Sequence, residues 1–171
     1  MEWKIVKHKD LSINEGLQIA NLKDQHWQYG VESQIRWMKD NLFDNDKHLM
    51  GTVHEGNQQL LKAYTTLTSI NVDFDGKAFE CIGVGNVCVD KDSRHLGIGR
   101  LLMMEAERYI KSQQKCGILL CKDPLISFYE KCDWKLLRYN NAFVADSRYD
   151  HNIMTFGKNC TCMSIKIDKN F

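Results

Sequence analysis

"GNVCVDKDSRHLGIGRLL", residues 85–102, runs from an apolar stretch through a polar one into a second apolar pattern, with Gly97 and Gly99 at the second joint. Its first part reads as the buried end of a strand. After Gly97 the residues Ile98, Leu101, Leu102, Ala106, Tyr109 and Ile110 recur at helical spacing, opposite Arg100, Glu107, Arg108 and Lys111, which predicts an amphipathic helix. The first N–H groups of that helix have no intrahelical partner. Together with the positive end of the helix dipole they would seat an anion, and glycines would let it approach the backbone. Two nucleotide motifs fail here: "GVGNVC" and "GIGRLL" lack the third glycine of the dinucleotide fingerprint, and no Gly-Lys-Ser/Thr follows to make a P-loop. What remains, Arg94-x-x-Gly97-x-Gly99, occurs by chance in roughly one chain of this length in six, so its context must carry the reading.

On the N-terminal side, "EWKIVKH" alternates as a short strand. The capping box "SINE", Ser12 to Glu15, then opens a helix carrying Ile13, Leu17, Ala20 and Leu22. "VESQIRWMKDNLF" reads as a second helix, joined to the first by the polar-aromatic "DQHWQYG". "HLMGTVHE" and "LLKAYTTLTSINVDF" read as strands, and "FDGK" as a tight hairpin returning into "KAFECIGVGNVCVD". Gly83 and Gly85 within that strand suggest a bulge or a close approach. Downstream come a buried strand "CGILLC", a short helix "DPLISFYEK" with Asp123 as N-cap and Pro124 at its first position, and strands "WKLLRY" and "TCMSIKI". This order predicts an α+β fold: one mixed, mostly antiparallel sheet of six to seven strands with helices on both faces.

The 171 residues hold 23 Lys and Arg against 22 Asp and Glu, a net charge of +1, so nothing global favours nucleic acid or an acidic membrane surface. No repeat or linker divides the chain, and we expect a single domain over residues 1–171. No run approaches the roughly 18 apolar residues of a spanning helix, and the N-terminus has no signal-peptide core. Seven scattered cysteines (81, 88, 116, 121, 132, 160 and 162) suit reduced thiols in the cytoplasm. The close pair in "CTC", residues 160–162, lacks the second Cys/His pair of a structural zinc site, so no metal is expected.

The glycine loop and "SFYEKCDW", residues 127–134, together resemble the GNAT superfamily of acetyl-coenzyme A-dependent N-acyltransferases. The resemblance covers roughly residues 60 to 137 in order: hairpin, strand, "RHLGIG", long helix, strand "GILLC" and "FYEKCDW". It implies one N-acetyltransferase domain with acetyl-coenzyme A as cosubstrate; the sequence leaves monomer or homodimer open. Val87, Cys88 and Val89 match the strand end whose backbone pairs with the pantetheine arm. Arg94, His95, Gly97, Ile98, Gly99 and Arg100 match the pyrophosphate loop, and Tyr129 matches the tyrosine that protonates the departing thiolate. His95 stands where many members have glycine, Lys122 where asparagine is frequent, and Asp133 where glycine precedes phenylalanine. The alternative for Tyr129 is a core tyrosine with its hydroxyl satisfied.

Many relatives carry a glutamate as base on the strand before the loop, but here the nearest positions are Gly83, Gly85 and Asn86. Glu80 is seven residues from Val87, about 23 Å along a strand. The reading therefore gives Asn86 the task of orienting water or acceptor, with His26 as a further candidate. His26, Trp27 and Tyr29 fall where the resemblance places the acceptor site. They could cradle a sugar or polyamine, or they could staple the two helices. Asp73 and Asp75 are either attractors of a cationic acceptor or turn residues. The expected reaction is acetylation of a primary amine by direct attack in a ternary complex. The expected acceptor is a small aminoglycoside- or polyamine-like molecule; the alternatives are a protein or peptide amine, or a non-catalytic coenzyme-binding sensor.

Overall fold

The computed structural model describes residues 1–158 and 161–171, so Cys160 of the "CTC" pair lies outside the described residues. The chain forms two compact units, one of Met1–Leu67 with Asn86–Glu105, the other of Thr68–Gly85 with Ala106–Phe171. Among the described residues no helix is long and apolar enough to cross a membrane.

In the first unit β1 (Glu2–Lys7) pairs antiparallel with β2 (Lys47–Glu55), which pairs antiparallel with the first part of β3 (Gln58–Phe74). Helices α1 (Ile13–Asp24) and α2 (Val31–Asn41) pack here. The capping box at the start of α1 is formed: Ser12 Oγ accepts the Glu15 N–H at 3.3 Å and the Glu15 carboxylate accepts the Ser12 N–H at 2.9 Å. This satisfies two groups that a bare helix end leaves orphaned. Of the four apolar residues expected on α1, Ala20 and Leu22 are on the buried face. Ile13 and Leu17 lie at the surface, while Ile19, Ala20, Leu22 and Lys23 are buried. The helix is turned so that Ile19, Leu22 and Lys23, at i, i+3 and i+4, face the core. Lys23 tolerates this because its stem is apolar and its Nζ lies over the Trp37 ring, 4.0 Å from the centroid. Ile19, Leu22, Met38, Met50, Tyr64 and Cys88 belong to one core cluster.

In the second unit the strand order is β6–β9–β5–β4–β3–β10–β7–β8, where β4 is Lys77–Val89, β5 Cys116–Cys121, β6 Lys135–Leu136, β7 Asn141–Val144, β8 Ser147–Arg148, β9 Asn152–Phe156 and β10 Ser164–Ile167. The β4–β5 and β10–β7 pairs are parallel; the β5–β9, β6–β9, β10–β3 and β7–β8 pairs are antiparallel. The fold is thus α+β with a mixed, mostly antiparallel sheet, as expected, although the described residues form ten strands rather than six or seven. The additional ones, β7, β8 and β9, are two to five residues long. The turn between β7 and β8 is Ala145-Asp146, both at positive φ, so this hairpin has no glycine to announce it.

The β3–β4 hairpin is made as read: Asp75 and Gly76 have φ of 52° and 83°, and the Asp73 carboxylate accepts the Gly76 N–H at 2.7 Å. Asp75 goes further, accepting the Ser164 N–H at 2.7 Å and the Met163 N–H at 3.2 Å. These bonds put both aspartates to use in the turn. At Gly83 a close approach is present, since an added Cβ would come 2.7 Å from the Phe171 ring. Asp123 does not cap a helix. The segment is a 3-10 turn, Asp123–Leu125, followed by α4 (Ile126–Glu130), and the Asp123 carboxylate instead accepts the Asn152 amide at 2.6 Å.

Candidate functional site

The first unit contains the strand end, the loop and the start of α3 (Ile98–Ser112). At the end of β4 the Asp90 N–H donates to the Lys62 carbonyl of β3 at 2.8 Å. Backbone polar groups alternate between the two edges of a strand, so those of Cys88 also face β3. Those of Val87 and Val89 face the opposite edge, where a partner strand or an extended ligand would pair. Asn86 sits in the left-handed region, φ 52°, a conformation that asparagine tolerates better than most residues. Its amide donates to Thr66 Oγ1 at 3.2 Å, and among the described residues its Oδ1 has no donor.

A 3-10 turn, Lys91–Ser93, leads into the loop. Asp90 is held within it by Ser93 Oγ at 2.9 Å, Gln25 Nε2 at 3.2 Å and Lys62 Nζ at 3.5 Å. Burial opposes ionisation of this carboxyl, but these partners bring its pKa below the usual value. Its negative charge is therefore compensated before it can repel an anion. His95 has φ 63° and Gly97 φ 78°, and a Cβ at Gly97 would meet nothing within 4 Å. The first backbone bond of α3 runs from the Leu101 N–H to the Gly97 carbonyl, which leaves the N–H groups of Ile98, Gly99 and Arg100 ahead of the helical ladder. Arg94, His95 and Arg100 are exposed. Unladdered amides, open space at Gly97 and exposed guanidinium groups fit the diphosphate of coenzyme A.

His26 does not stand free as a candidate acceptor ligand or base. Its Nε2 is 2.8 Å from the Val89 carbonyl and its Nδ1 is 3.2 Å from an Arg94 nitrogen. Trp27 packs against the core of the first unit, its carbonyl accepting the Gln34 amide at 2.6 Å. Tyr29 is exposed. Cys88 is buried, and burial pushes its thiol up to about 12, which makes it a packing group rather than a nucleophile. Sequence reasoning missed Gln25, whose neighbours form no motif and whose role depends on contacts 65 and 66 residues away.

In the second unit, Tyr129 lies on α4 with 5% of its surface exposed. Its carbonyl accepts the N–H groups of Cys132 and Trp134, but its hydroxyl has no hydrogen-bond partner among the described residues. Burial raises its pKa well above the usual tyrosine value, so the hydroxyl keeps its proton. Glu80 is exposed and pairs with Lys115.

A family model, that of the Acetyltransferase (GNAT) domain, matches residues 52–136. No curated protein matches the sequence. Among solved structures, the chain is similar to an acyl-CoA N-acyltransferase from Pseudomonas aeruginosa, with TM-score 0.65 and 18% identity over 92% of this chain and 100% of that one. It is also similar to Escherichia coli ElaA, with TM-score 0.64 and 20% identity over 91% and 98%. A third similar structure is the E. coli GNAT family N-acetyltransferase YhbS, solved in complex with CoA, with TM-score 0.63 and 14% identity over 97% and 89%.

Proposed function

We propose, for a chain that belongs to the GNAT superfamily and is an N-acetyltransferase, that it moves an acetyl group from acetyl-coenzyme A to the primary amine of a small molecule. The coenzyme would supply the activated thioester. The Val87 backbone groups and the Val89 N–H would hold its extended arm, the Val89 carbonyl being engaged by His26, and an outward N–H of that pair would polarise the thioester carbonyl. Arg94, Arg100 and the amides from Gly97 to Arg100 would hold its diphosphate, with His95 beside them.

The reaction forms one N–C bond and breaks one C–S bond, with the electron pair leaving on sulfur. Only about one alkyl amine in two thousand is neutral at pH 7, so the amine proton must leave by water. The open Oδ1 of Asn86 suits orientation of that water or of the amine N–H. Tyr129 then gives its proton to the sulfur and regains one from solvent. The observation that carries this role is a tyrosine hydroxyl that keeps its proton and has no hydrogen-bond partner among the described residues, which leaves that proton available for donation. The inert Cys88 thiol supports direct attack over an acyl-enzyme. In this reading the chain is one cytoplasmic catalytic domain, and Trp27 and Tyr29 flank the acceptor.

The test is thiol release from acetyl-coenzyme A across aminoglycosides, polyamines and peptides. Turnover with one of the small amines is expected. Turnover on peptides alone would reject the small-molecule acceptor, and coenzyme binding with no turnover on any amine would reject the proposed acceptor chemistry.

A further inference from the structure

We propose that Gln25 and His26, at the C-terminal end of α1, are positioning residues that hold the β4–α3 loop and aim Arg94 at the coenzyme diphosphate. The inference rests on the reading of that loop as the coenzyme seat. Gln25 is the C-cap of α1. Its Oε1 accepts the Lys91 N–H at 2.9 Å and its Nε2 donates to Asp90 at 3.2 Å. His26 adds contacts to Val89 and Arg94 at 2.8 and 3.2 Å. Two adjacent side chains thus engage four residues between 89 and 94, covering the strand end, the turn and the first loop arginine.

The chemistry of the partners fixes the state of the imidazole. A backbone carbonyl can only accept, so Nε2 carries the hydrogen; a guanidinium can only donate, so Nδ1 presents its lone pair. Only the neutral Nε2–H tautomer satisfies both. Arg94, with its planar fork of donors, is held by one donor and keeps the others for an anion. A flexible arginine on an exposed loop would otherwise lose rotamer freedom on binding. In this arrangement His26 bears that ordering within the folded chain. It acts through Arg94 and the strand end and does not touch the reacting atoms.

The experiment measures coenzyme A affinity by titration calorimetry and steady-state kinetics on the intact chain. His26→Ala should raise Kd for coenzyme A and KM for acetyl-coenzyme A by about five- to tenfold, the worth of one or two hydrogen bonds. Both kcat and the KM for the amine should stay within about twofold. In an Arg94→Ala background, His26→Ala should add less than about twofold, because the group through which it acts is gone. His26→Asn, which keeps an acceptor near the Nδ1 position, should recover part of the affinity, and Gln25→Ala should weaken binding without altering kcat. Should His26→Ala fail to fold, His26→Asn and Gln25→Ala carry the test.

An unchanged Kd, a loss confined to kcat or amine KM, or full additivity with Arg94→Ala would each overturn the proposal. Wild-type protein that binds no coenzyme A would instead overturn the reading beneath it.

Discussion

The Tyr64 hydroxyl donates to His48 Nδ1 across 2.9 Å, and both side chains are fully buried. Tyr64 has no other acceptor for its proton among the described residues. His48 therefore carries its hydrogen on Nε2, which donates to His8 Nδ1 at 2.9 Å. Burial first, then the nearby charges of His8 and Lys23, lower the His48 pKa to about 4, with Glu15 acting weakly in the opposite sense. The folded state thus resists a proton that the unfolded chain accepts near pH 6.5. Stability should be complete above that value and fall as pH drops from about 6.5 towards 4, by a loss of about 3 kcal/mol from this group. Urea midpoints at pH 7.5 and pH 4.5 measure the difference. His48→Gln should shrink it, and an undiminished difference would refute the assignment.

Tyr129→Phe separates catalysis from packing. Removing a hydroxyl that has no partner among the described residues should leave the thermal midpoint nearly unchanged. If that hydroxyl protonates the leaving sulfur, kcat should fall by about two orders of magnitude while coenzyme A affinity holds. Equal loss of stability and no loss of kcat would make Tyr129 a core residue.

The loop offers a graded test. Gly97→Ala has room for its methyl group but places an alanine at φ 78°, which should cost about 1 kcal/mol and weaken coenzyme A binding several-fold. Gly97→Asp adds a negative charge where the diphosphate would sit and should abolish measurable binding. His95 already occupies the left-handed region, so His95→Gly should relieve backbone strain while enlarging the entropy of the unfolded chain. Affinity for coenzyme A should then change by less than about threefold, as expected of a position acting through its backbone. Calorimetric titration of the three variants gives the ranking, and a His95→Gly loss as large as that of Gly97→Asp would assign the work to the imidazole.

Glu80→Gln should leave the acetylation rate unchanged. Its carboxylate is spent on an exposed pair with Lys115, so stability should shift by less than about 1 kcal/mol. A large drop in kcat would return Glu80 to the role of base.

The elements legible in the sequence are those in which local chemistry and burial agree. The Ser12–Glu15 box, the Asp75-Gly76 turn and the strand-loop-helix around Gly97 each carry their own instructions. The β7–β8 hairpin was not legible, because Ala145 and Asp146 adopt a turn conformation that their identities do not require. The burial of Lys23 on α1 is not legible for a related reason: a lysine argues for solvent until Trp37 is known to lie against it. In the candidate site, glycines and Tyr129 are visible as a pattern. The partners of His26 are not, since Val89 and Arg94 are 63 and 68 residues away and only the fold brings them near.

The Asp75 carboxylate, already noted at the tip of the hairpin, has a consequence for the lifetime of the native state. Its bond to the Ser164 N–H closes a separation of 89 residues, whereas the turn that it occupies closes locally. Local closures are fast and long ones are entropically deferred. Asp75 therefore contributes its backbone to an early step and its side chain to a late one. In a chevron experiment Asp75→Asn should keep the folding arm in place and raise the unfolding rate by about fivefold. The same residue that starts the hairpin would then govern how long the finished molecule resists coming apart.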